Sequence, residues 1–279
     1  MKNRPSILLI AASAVLISVV AIALIGNVFS PFAVTDQNLL GRLKPPAFLG
    51  GPEEYLLGTD RIGRDMVARL VAGLRMSLLV ALAGTLIGAI VGTVIGFLAA
   101  HFRGYVEEGL MMLVDFQASL PFILIALTLL AFFGNSLILF IILMGLFGWE
   151  TYARLARGVV LSATSQPYAK AVTSLGAHPM RLYIRHILPN VASALIVQIT
   201  LTFPQIILLE TSLSFLGLGI QSPNTSLGQI LGDGRDYLST AWWISVWPGL
   251  LIFVITLSMS ILGDALRDRL DPMLKVRTT

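Results

Sequence analysis

The sequence predicts an all-α membrane protein with six transmembrane helices, and three observations support this prediction. The chain of 279 residues is 56% hydrophobic and only 12% charged, which is about half the charged fraction of soluble domains. Uncharged apolar runs recur along the whole chain, and a helix needs about 20 apolar residues to cross a bilayer. Glycine and proline residues separate several of these runs. We therefore expect lipid to be the solvent for most of the chain.

The predicted spans are the longest uncharged runs of the sequence. In chain order they cover 7–28, the run that follows Arg75 and ends before the cytoplasmic stretch 101–109, 109–149 with two spans that turn at Gly134 and Asn135, 189–209, and 243–263. The first run is longer than the apolar core of a cleaved signal peptide, so we expect it to remain as a helix. An even number of spans places both termini on one side of the membrane.

These spans divide the chain into four parts. We predict an N-terminal transmembrane helix over 1–29, an extracytoplasmic loop over 30–71, a main transmembrane domain over 72–264 with a cytoplasmic loop at about 158–188, and a cytoplasmic tail over 265–279. Apolar residues also recur at helical spacing before the second span, namely Val67, Leu70, Val71, Leu74 and Leu78. This spacing predicts an amphipathic lead-in helix on the outer membrane surface.

Basic residues indicate which side of the membrane faces the cytoplasm. Twelve of the 19 lysines and arginines fall on the side of the two termini, and the other seven fall on the opposite side. The twelve are Lys2, Arg4, Arg103, Arg154, Arg157, Lys170, Arg181, Arg185, Arg267, Arg269, Lys275 and Arg277. Because cytoplasmic segments carry an excess of basic residues, we expect both termini in the cytoplasm.

The sequence lacks the residues that several functional classes of protein need. No lysine follows a glycine, so the sequence has no phosphate-binding loop. It also has no G-x-S-x-G elbow, no H-E-x-x-H motif and no cysteine, and its three histidines fall outside the predicted spans. A net charge of +4 that is spread along the chain does not indicate nucleic-acid binding. We therefore expect no catalytic residue, metal site, cofactor or nucleic-acid partner for this chain.

The stretch YAKAVTSLGAHPMRLYIRHILPN, residues 168–190, is basic and lies between two apolar regions. Pro167 fits the first position of a helix, Gly176 fits its C-terminal cap, and Pro179 fits the start of a second short helix. Pro189 then begins the fifth span. This pattern predicts a helix-turn-helix elbow on the cytoplasmic side. The elbow is either an amphipathic loop on the lipid headgroups or a docking element for a cytoplasmic partner.

This segment resembles the conserved cytoplasmic loop of bacterial ABC-importer permeases, which reads E-A-A-x(3)-G and later ends in L-P. The positions that match this pattern are Ala171, Gly176, Leu188 and Pro189. Lys170 stands where the family usually has Glu, and Val172 replaces the second Ala. The resemblance implies that the segment forms the coupling helices that sit in a cleft of the ATPase subunit. The candidate coupling residues are Tyr168, Lys170, Ala171, Gly176, Arg181, Leu188 and Pro189.

Three further stretches are similar to the peptide/nickel type of these permeases, specifically to the second of the two permease subunits. They are LGTDRIGRDMVARLVAGLRMSL (57–78), LSFLGLGIQSPNTSLGQIL (213–231) and GDALRDRLDP (263–272). The resemblance implies a type I ABC importer permease fold in the bacterial inner membrane. The partners that it implies are a homologous second permease, two ATPase subunits that bind ATP and Mg²⁺, an extracytoplasmic substrate-binding protein and membrane lipid.

Short peptides are the substrate that this resemblance implies, and nickel or a metal chelate is the alternative. The predicted spans lack His and Cys, so a soft metal ion would find few ligands in them. A proton-coupled secondary transporter is an alternative from another class. That mechanism needs a buried acidic relay near the middle of the membrane, whereas the acidic residues of this chain fall near the span ends.

Four glycines of the second span, Gly84, Gly88, Gly92 and Gly96, are spaced four residues apart. This spacing puts all of them on one helix face. Because lipid gives helices no hydrophobic reason to associate, close packing at small residues takes that role. The four glycines therefore predict a helix-packing groove, whose neighbour belongs either to this chain or to a partner.

Ionisable and polar residues within membrane spans are functional candidates. Asp115 lies inside the third span, where we expect it to pair with Arg154 or Arg157, and Glu150 is expected at the cytoplasmic end of the fourth span. One acidic residue of the fifth span falls about 31 Å along its helix, near the outer boundary. Together with two glutamines it gives the candidate gate or pathway residues Glu210, Gln198 and Gln205.

Overall fold

The computed structural model describes residues 7–270, which form helices joined by turns and by one long loop. In chain order the α-helices are α1 (Ile7–Ile25), α2 (Met66–Phe102), α3 (Gly104–Ser119), α4 (Phe122–Phe133), α5 (Leu137–Gly145), α6 (Trp149–Ser165), α7 (Pro167–Ser174), α8 (Pro179–Leu182), α9 (Leu188–Phe215), α10 (Leu227–Asp233) and α11 (Trp243–Leu270). No β-strand occurs among these described residues. The predicted cytoplasmic charges Lys2, Arg4, Lys275 and Arg277 lie outside them, as do the last residues of the predicted tail.

Residues 7–270 contain six helical segments that are long and apolar enough to cross a membrane, when the bent pair α3 and α4 counts as one. The other five helical segments that are long and apolar enough are α1, α2, α5 with α6 (Leu137–Ser165), α8 with α9 (Pro179–Phe215), and α11. The axes of α3 and α4 differ by 84°. Leu120 between them is extended, because the ring of Pro121 disfavours a helical backbone in the residue before it. The predicted all-α membrane fold is confirmed, with its third span broken.

The second span and the predicted lead-in helix form one helix, α2, of 37 residues and about 55 Å. Asp65 caps its N-terminus by accepting a hydrogen bond from the backbone N–H of Ala68 at 2.9 Å. The predicted separate helix on the membrane surface is wrong, because its apolar stripe is buried in the protein core, as at Leu70 and Leu74. Helical spacing alone does not distinguish a stripe that faces lipid from one that faces protein.

The fourth span also continues beyond its predicted end. The structure has an apolar helical segment over Leu137–Ser165, with a short break before Trp149. In the sequence, the charge of Arg154 makes this region appear interfacial. In the structure Arg154 is indeed exposed, yet Ala156 two residues later is fully buried. The predicted cytoplasmic loop therefore begins at Gln166 rather than near residue 158.

The fifth span, α9, begins at Leu188, and Pro189 lies in its first turn as predicted. It is continuous with the second helix of the elbow. A π-helical turn over Tyr183–Ile187 joins α8 to α9. Proline lacks a backbone N–H and clashes with the preceding turn of a regular helix, and a widened π-turn relieves both problems. At the other end of the chain α11 extends the sixth span from its predicted end to Leu270.

Residues 30–65, which we call the cap, fold over one end of the helix bundle. Thr59 organises this segment, because its hydroxyl donates to the Gly41 carbonyl at 2.5 Å and accepts from the Lys44 backbone N–H at 2.8 Å. The indole N–H of Trp243, at the start of α11, donates to the Thr59 carbonyl at 3.0 Å. Gly58 has a φ of +84°, and a Cβ there would lie 2.7 Å from the Lys44 carbonyl. A side chain at this position would therefore open the cap.

The glycine face of α2 packs against α5 and α6 of the same chain. A Cβ at Gly84 would lie 2.8 Å from the Met144 side chain, and one at Gly96 would lie 2.7 Å from that of Ala156. Gly88 faces the turn between α5 and α6, and Gly92 faces the backbone of Trp149. These four glycines form a seam in which helix backbones nearly touch.

Candidate functional site

The elbow, residues 166–187, is two short helices at the end of the bundle opposite the cap. Gly176 follows α7 with a φ of +73°, and a Cβ there would meet no atom within 4 Å. The His178 ring nitrogen Nδ1 accepts from the backbone N–H of Met180 at 3.3 Å and caps α8. The two helices therefore meet at a left-handed glycine turn, which is a conformation that other residues resist.

All seven predicted coupling residues are exposed in this structure. They are Tyr168, Lys170, Ala171, Gly176, Arg181, Leu188 and Pro189. The apolar tip residue Leu175 is 87% exposed, and Met180 is 62% exposed. An apolar tip with such exposure is a surface that another protein can cover.

The base of the elbow is anchored to the bundle through apolar and aromatic contacts. Ile187 is fully buried against the last turns of α6 and the first turns of α9. The Tyr183 hydroxyl lies 3.1 Å from Nδ1 of His101 at the end of α2, and its ring stacks edge-on against Phe97. These contacts join the base of the elbow to α2, α6 and α9.

The basic residues of the elbow have no acidic partner within the described part of the chain. Lys170, Arg181 and Arg185 are exposed, and no carboxylate of residues 7–270 forms an ion pair with them. Arginine and lysine heads in this state remain hydrated and free to bind an anionic group. The elbow thus combines an apolar tip with uncompensated positive charge.

The two candidate glutamines lie on an accessible face of α9. Gln205 is exposed, and Leu208 and Ser212 continue the same exposed stripe at spacings of three and four residues. Gln198 is partly buried, and its amide donates to the Thr202 hydroxyl at 3.2 Å. Exposed polar side chains such as Gln205 and Ser212 are unfavourable against lipid, so this face is expected to meet water or another protein.

A cavity of about 400 Å³ lies at the elbow end of this face. Its polar lining comes from Ser193, Gln198 and Arg267, and its apolar lining includes Val197 and Leu201. Mixed linings of this kind accept polar solutes and water.

Glu210 does not share this face with the glutamines. Its side chain is fully buried, and it accepts hydrogen bonds from the hydroxyls of Ser77 at 3.0 Å and Ser214 at 2.7 Å. Ser77 belongs to α2, so Glu210 bonds across helices near the cap end. The structure therefore brings Gln198 and Gln205 together on one face of α9 and directs Glu210 into the bundle.

Two acidic residues of α3 pair with arginines of α6. Asp115 of α3 lies 3.8 Å from Arg154 of α6, as expected from the sequence. Glu107 of α3 pairs with Arg157. Glu150 lies in the first turn of α6, where the helix dipole favours a negative charge, and not at the end of the fourth span as predicted.

A buried ion network at the cap end was not predicted from the sequence, in which its arginines fall within the predicted extracytoplasmic region. Arg69 is completely buried on α2 and bonds to Asp60 and to Asp233 at 2.8 Å each. Arg64 bonds to Asp60 at 2.7 Å. The signal that could have found this network is an arginine inside an apolar helical stripe, which needs acidic partners.

The buried ion network determines the pKa of the Asp60 carboxyl in the cap. Burial alone would raise the pKa of the Asp60 carboxyl, because it disfavours the charged form. The guanidinium groups of Arg69 and Arg64, with the hydrogen bond from the Arg64 backbone N–H, outweigh burial and hold the pKa of Asp60 below its ordinary value. Asp60 is therefore a stable anion at neutral pH.

The long apolar helices, the glycine seam and the exposed elbow define a polytopic membrane protein with an exposed docking surface. The sequence profile of the family described as "Binding-protein-dependent transport system inner membrane component" matches residues 92–276. The chain belongs to that family.

Its relatives match along most of their length. It is 40% identical over 258 residues to the dipeptide transport system permease protein DppC of Escherichia coli strain K12, covering 92% of this chain and 86% of the relative. It is 38% identical over 258 residues to the di/tripeptide transport system permease protein DppC of Pseudomonas aeruginosa, covering 92% and 85%. The oligopeptide transport system permease protein OppC of E. coli K12 is 34% identical over 272 residues, covering 98% and 88%.

Among solved structures, a chain of the inward-facing MetNI methionine ABC transporter is similar, with a TM-score of 0.60 and 19% identity. The match covers 74% of this chain and 98% of that chain. The predicted type I ABC importer permease fold is thereby confirmed. None of these similarities supports nickel or chelate import, or proton-coupled transport.

Proposed function

We propose that this chain is a permease subunit of an ABC importer that carries short peptides across the bacterial inner membrane. The observation that carries this proposal is the 40% identity to a dipeptide permease over 92% of the chain. Relatives named for di/tripeptides and oligopeptides, at 38% and 34% identity, support the same substrate class.

The elbow is the proposed docking element for an ATPase subunit. It projects from the bundle, exposes Leu175 and Met180 at its tip, and keeps Lys170 and Arg181 without acidic partners among the described residues. An apolar tip would fill a cleft, and the cations would pair with acidic groups at its rim. ATP and Mg²⁺ would be bound by the two ATPase subunits, so this chain performs no covalent chemistry.

The exposed stripe of α9 is the proposed wall of the translocation pathway. A homologous second permease would supply the opposite wall, because the stripe leaves Gln205 and Ser212 uncovered by this chain. Glutamine amides both donate and accept hydrogen bonds, so they suit the backbone of any short peptide.

The proposed orientation has both termini and the elbow in the cytoplasm, and the cap on the outer side. The exposed basic residues of the elbow support this orientation through the positive-inside rule. A substrate-binding protein would deliver peptide on the cap side. ATP-driven closure of the ATPases would then move the elbow and open the pathway to alternate sides.

The test is ATP-dependent uptake by proteoliposomes that contain the purified complex of both permeases, the ATPases and the binding protein. We expect uptake of a labelled dipeptide, with no uptake of nickel or a nickel chelate. Gln205→Leu is expected to slow dipeptide uptake, whereas Gln117→Leu on α3 serves as the matched glutamine control and leaves it unchanged. Uptake of the chelate without dipeptide would overturn the proposed substrate.

A further inference from the structure

The short helix α10, Leu227–Asp233, lies at the cap end between α2, α9 and α11. Its residues Leu227, Gly228 and Ile230 are buried. Buried polar groups hold it at both ends, and the groups at each end reach a different part of the molecule.

The C-terminal attachment is the buried ion network. Arg69 on α2 donates one hydrogen bond to Asp233 of α10 and one to Asp60 of the cap, each at 2.8 Å. Arg61 and Arg64 of the cap lie 3.5 and 3.8 Å from the Asp233 carboxylate. A guanidinium group offers several donors in a fixed plane, so one arginine can bridge two carboxylates. This attachment joins the cap, α2 and α10.

The N-terminal attachment is centred on Ser77 of α2. The Ser77 hydroxyl accepts from the backbone N–H of Leu227 at 3.1 Å and donates to Glu210 of α9 at 3.0 Å. Ser226 caps α10 by accepting from the backbone N–H of Gln229 at 3.2 Å. This attachment joins α2, α10 and α9.

The two attachments are as far apart as α10 is long. Arg69 and Ser77 are eight residues apart on α2, which is about 12 Å, and the seven residues of α10 span about 10 Å. The helix is therefore held along its full length against α2. Glu210 lies between Gln205 and Ser212, so the N-terminal attachment is made within the part of α9 that carries the exposed stripe.

We propose that Arg69, Asp233, Ser77 and Glu210 are positioning residues for transport. They join the cap, α10 and the outer end of α9 into one rigid body, so that a protein docked on the cap sets the position of the pathway face. This inference rests on the proposed function for its transport readout, and on distances alone for its structural readout.

The structural test uses spin labels on a chain with no native cysteine. One pair is placed at Leu40 of the cap, which is 93% exposed, and at exposed Asn224 before α10. The reference pair is Leu40 and Gln166, which is exposed at the start of the elbow and is not one of the proposed docking residues. We expect the first distance to stay unchanged between the nucleotide-free and ATP-bound complex, and the reference distance to change. A change of the first distance between these states would overturn the proposal, whether or not the complex imports peptides.

The functional test is Asp233→Asn in the full complex, with Asp236→Asn as the matched control. Asp236 is exposed and pairs with its neighbour Arg235, so its loss should leave uptake unchanged. Asp233→Asn should lower the maximal uptake rate about tenfold, because one partner of a buried ion pair is lost. It should also broaden the Leu40 to Asn224 distance distribution, while the concentration of binding protein for half-maximal uptake stays near that of the native complex.

Asp233→Glu, which keeps the charge, should recover most of the rate and a narrow distance distribution. Full uptake by Asp233→Asn with an unchanged distance distribution would overturn the positioning role. A complex that imports no peptide but keeps the first distance fixed in both states would instead refute only the proposed function.

Discussion

The two ends of the helix bundle satisfy their charges in opposite ways. At the cap end Arg69 is fully buried between Asp60 and Asp233. At the elbow end Lys170 and Arg181 are exposed, and no carboxylate of residues 7–270 pairs with them. A buried charge is tolerated only when its partners are already in place, whereas an exposed one remains hydrated until a partner arrives. The cap end is completed by this chain, and the elbow end remains available to another molecule.

The two ends also differ in how far buried contacts, rather than regular secondary structure, hold them in place. The cap has only short 3-10 helices, yet the Thr59 hydrogen bonds and the ion network fix its path. The elbow consists of helices, but within α7 only Ala169 is buried. Regions with few buried contacts open at the lowest free energy. We therefore expect the elbow to move and the cap to hold its shape.

The largest expected effect is a difference in cysteine labelling between the cap end and the elbow end, because we expect them on opposite sides of the membrane. Gln221→Cys near the cap should react with an impermeant maleimide added to intact cells, whereas Ser174→Cys at the elbow should react only after the membrane is opened. Both sites are exposed, and the native sequence has no cysteine to label. The readout is the labelled fraction of the protein. The reverse pattern would invert the orientation and would place the elbow out of reach of ATP-driven partners.

The next effect is on the elbow turn. Gly176→Val should lower peptide uptake by about tenfold, because a left-handed conformation costs a β-branched residue about 1–2 kcal/mol and the second helix would be misdirected. The measurement is uptake together with stimulation of ATP hydrolysis by loaded binding protein. Gly158→Val is the matched control, since Gly158 lies on α6 with open space around it and no positive φ. Normal uptake and stimulation in Gly176→Val would reduce the elbow to a surface loop.

A smaller effect is expected at the seam that connects the two ends. Gly92→Leu should destabilise the protein by about 1–3 kcal/mol through overpacking, because Gly92 abuts the α6 backbone. Thermal unfolding of the purified complex and its yield would measure this loss. Gly109→Leu on α3, where no atom lies within 4 Å, is the control that should leave both unchanged. Equal stability of the two variants would contradict the prediction, because α2 and α6 could then move apart at Gly92 with no loss of folding free energy.

The smallest effect is a pH dependence confined to the cap end. Since the pKa of Asp60 is lower in the folded protein, its ionised carboxyl stabilises the fold above its unfolded pKa of about 3.9. That contribution is lost as the pH falls through the lower folded pKa. Thermal unfolding between about pH 5 and pH 2 should therefore lose more stability in the native chain than in Asp60→Asn. Identical pH profiles would show that the Asp60 network does not stabilise the fold.

Much of the fold followed from local chemistry that the sequence carries. Apolar runs long enough for a bilayer predicted the crossings, and Pro167, Gly176 and Pro179 predicted the two elbow helices, because these residues restrict their own backbone. The four-residue glycine period predicted a close helix contact. Each of these signals depends on a residue and its near neighbours in the chain.

Only the tertiary structure decided which partners those residues meet. It extended α2 and α6 past their predicted limits, because their apolar stripes face other helices instead of the membrane surface. It also turned Arg69 from a loop charge into the centre of a buried network, since Asp233 lies 164 residues away in the sequence. The glycine seam could be assigned to contacts within the chain for the same reason. Spacing along a sequence defines a face of a helix, but the fold alone determines what lies against it.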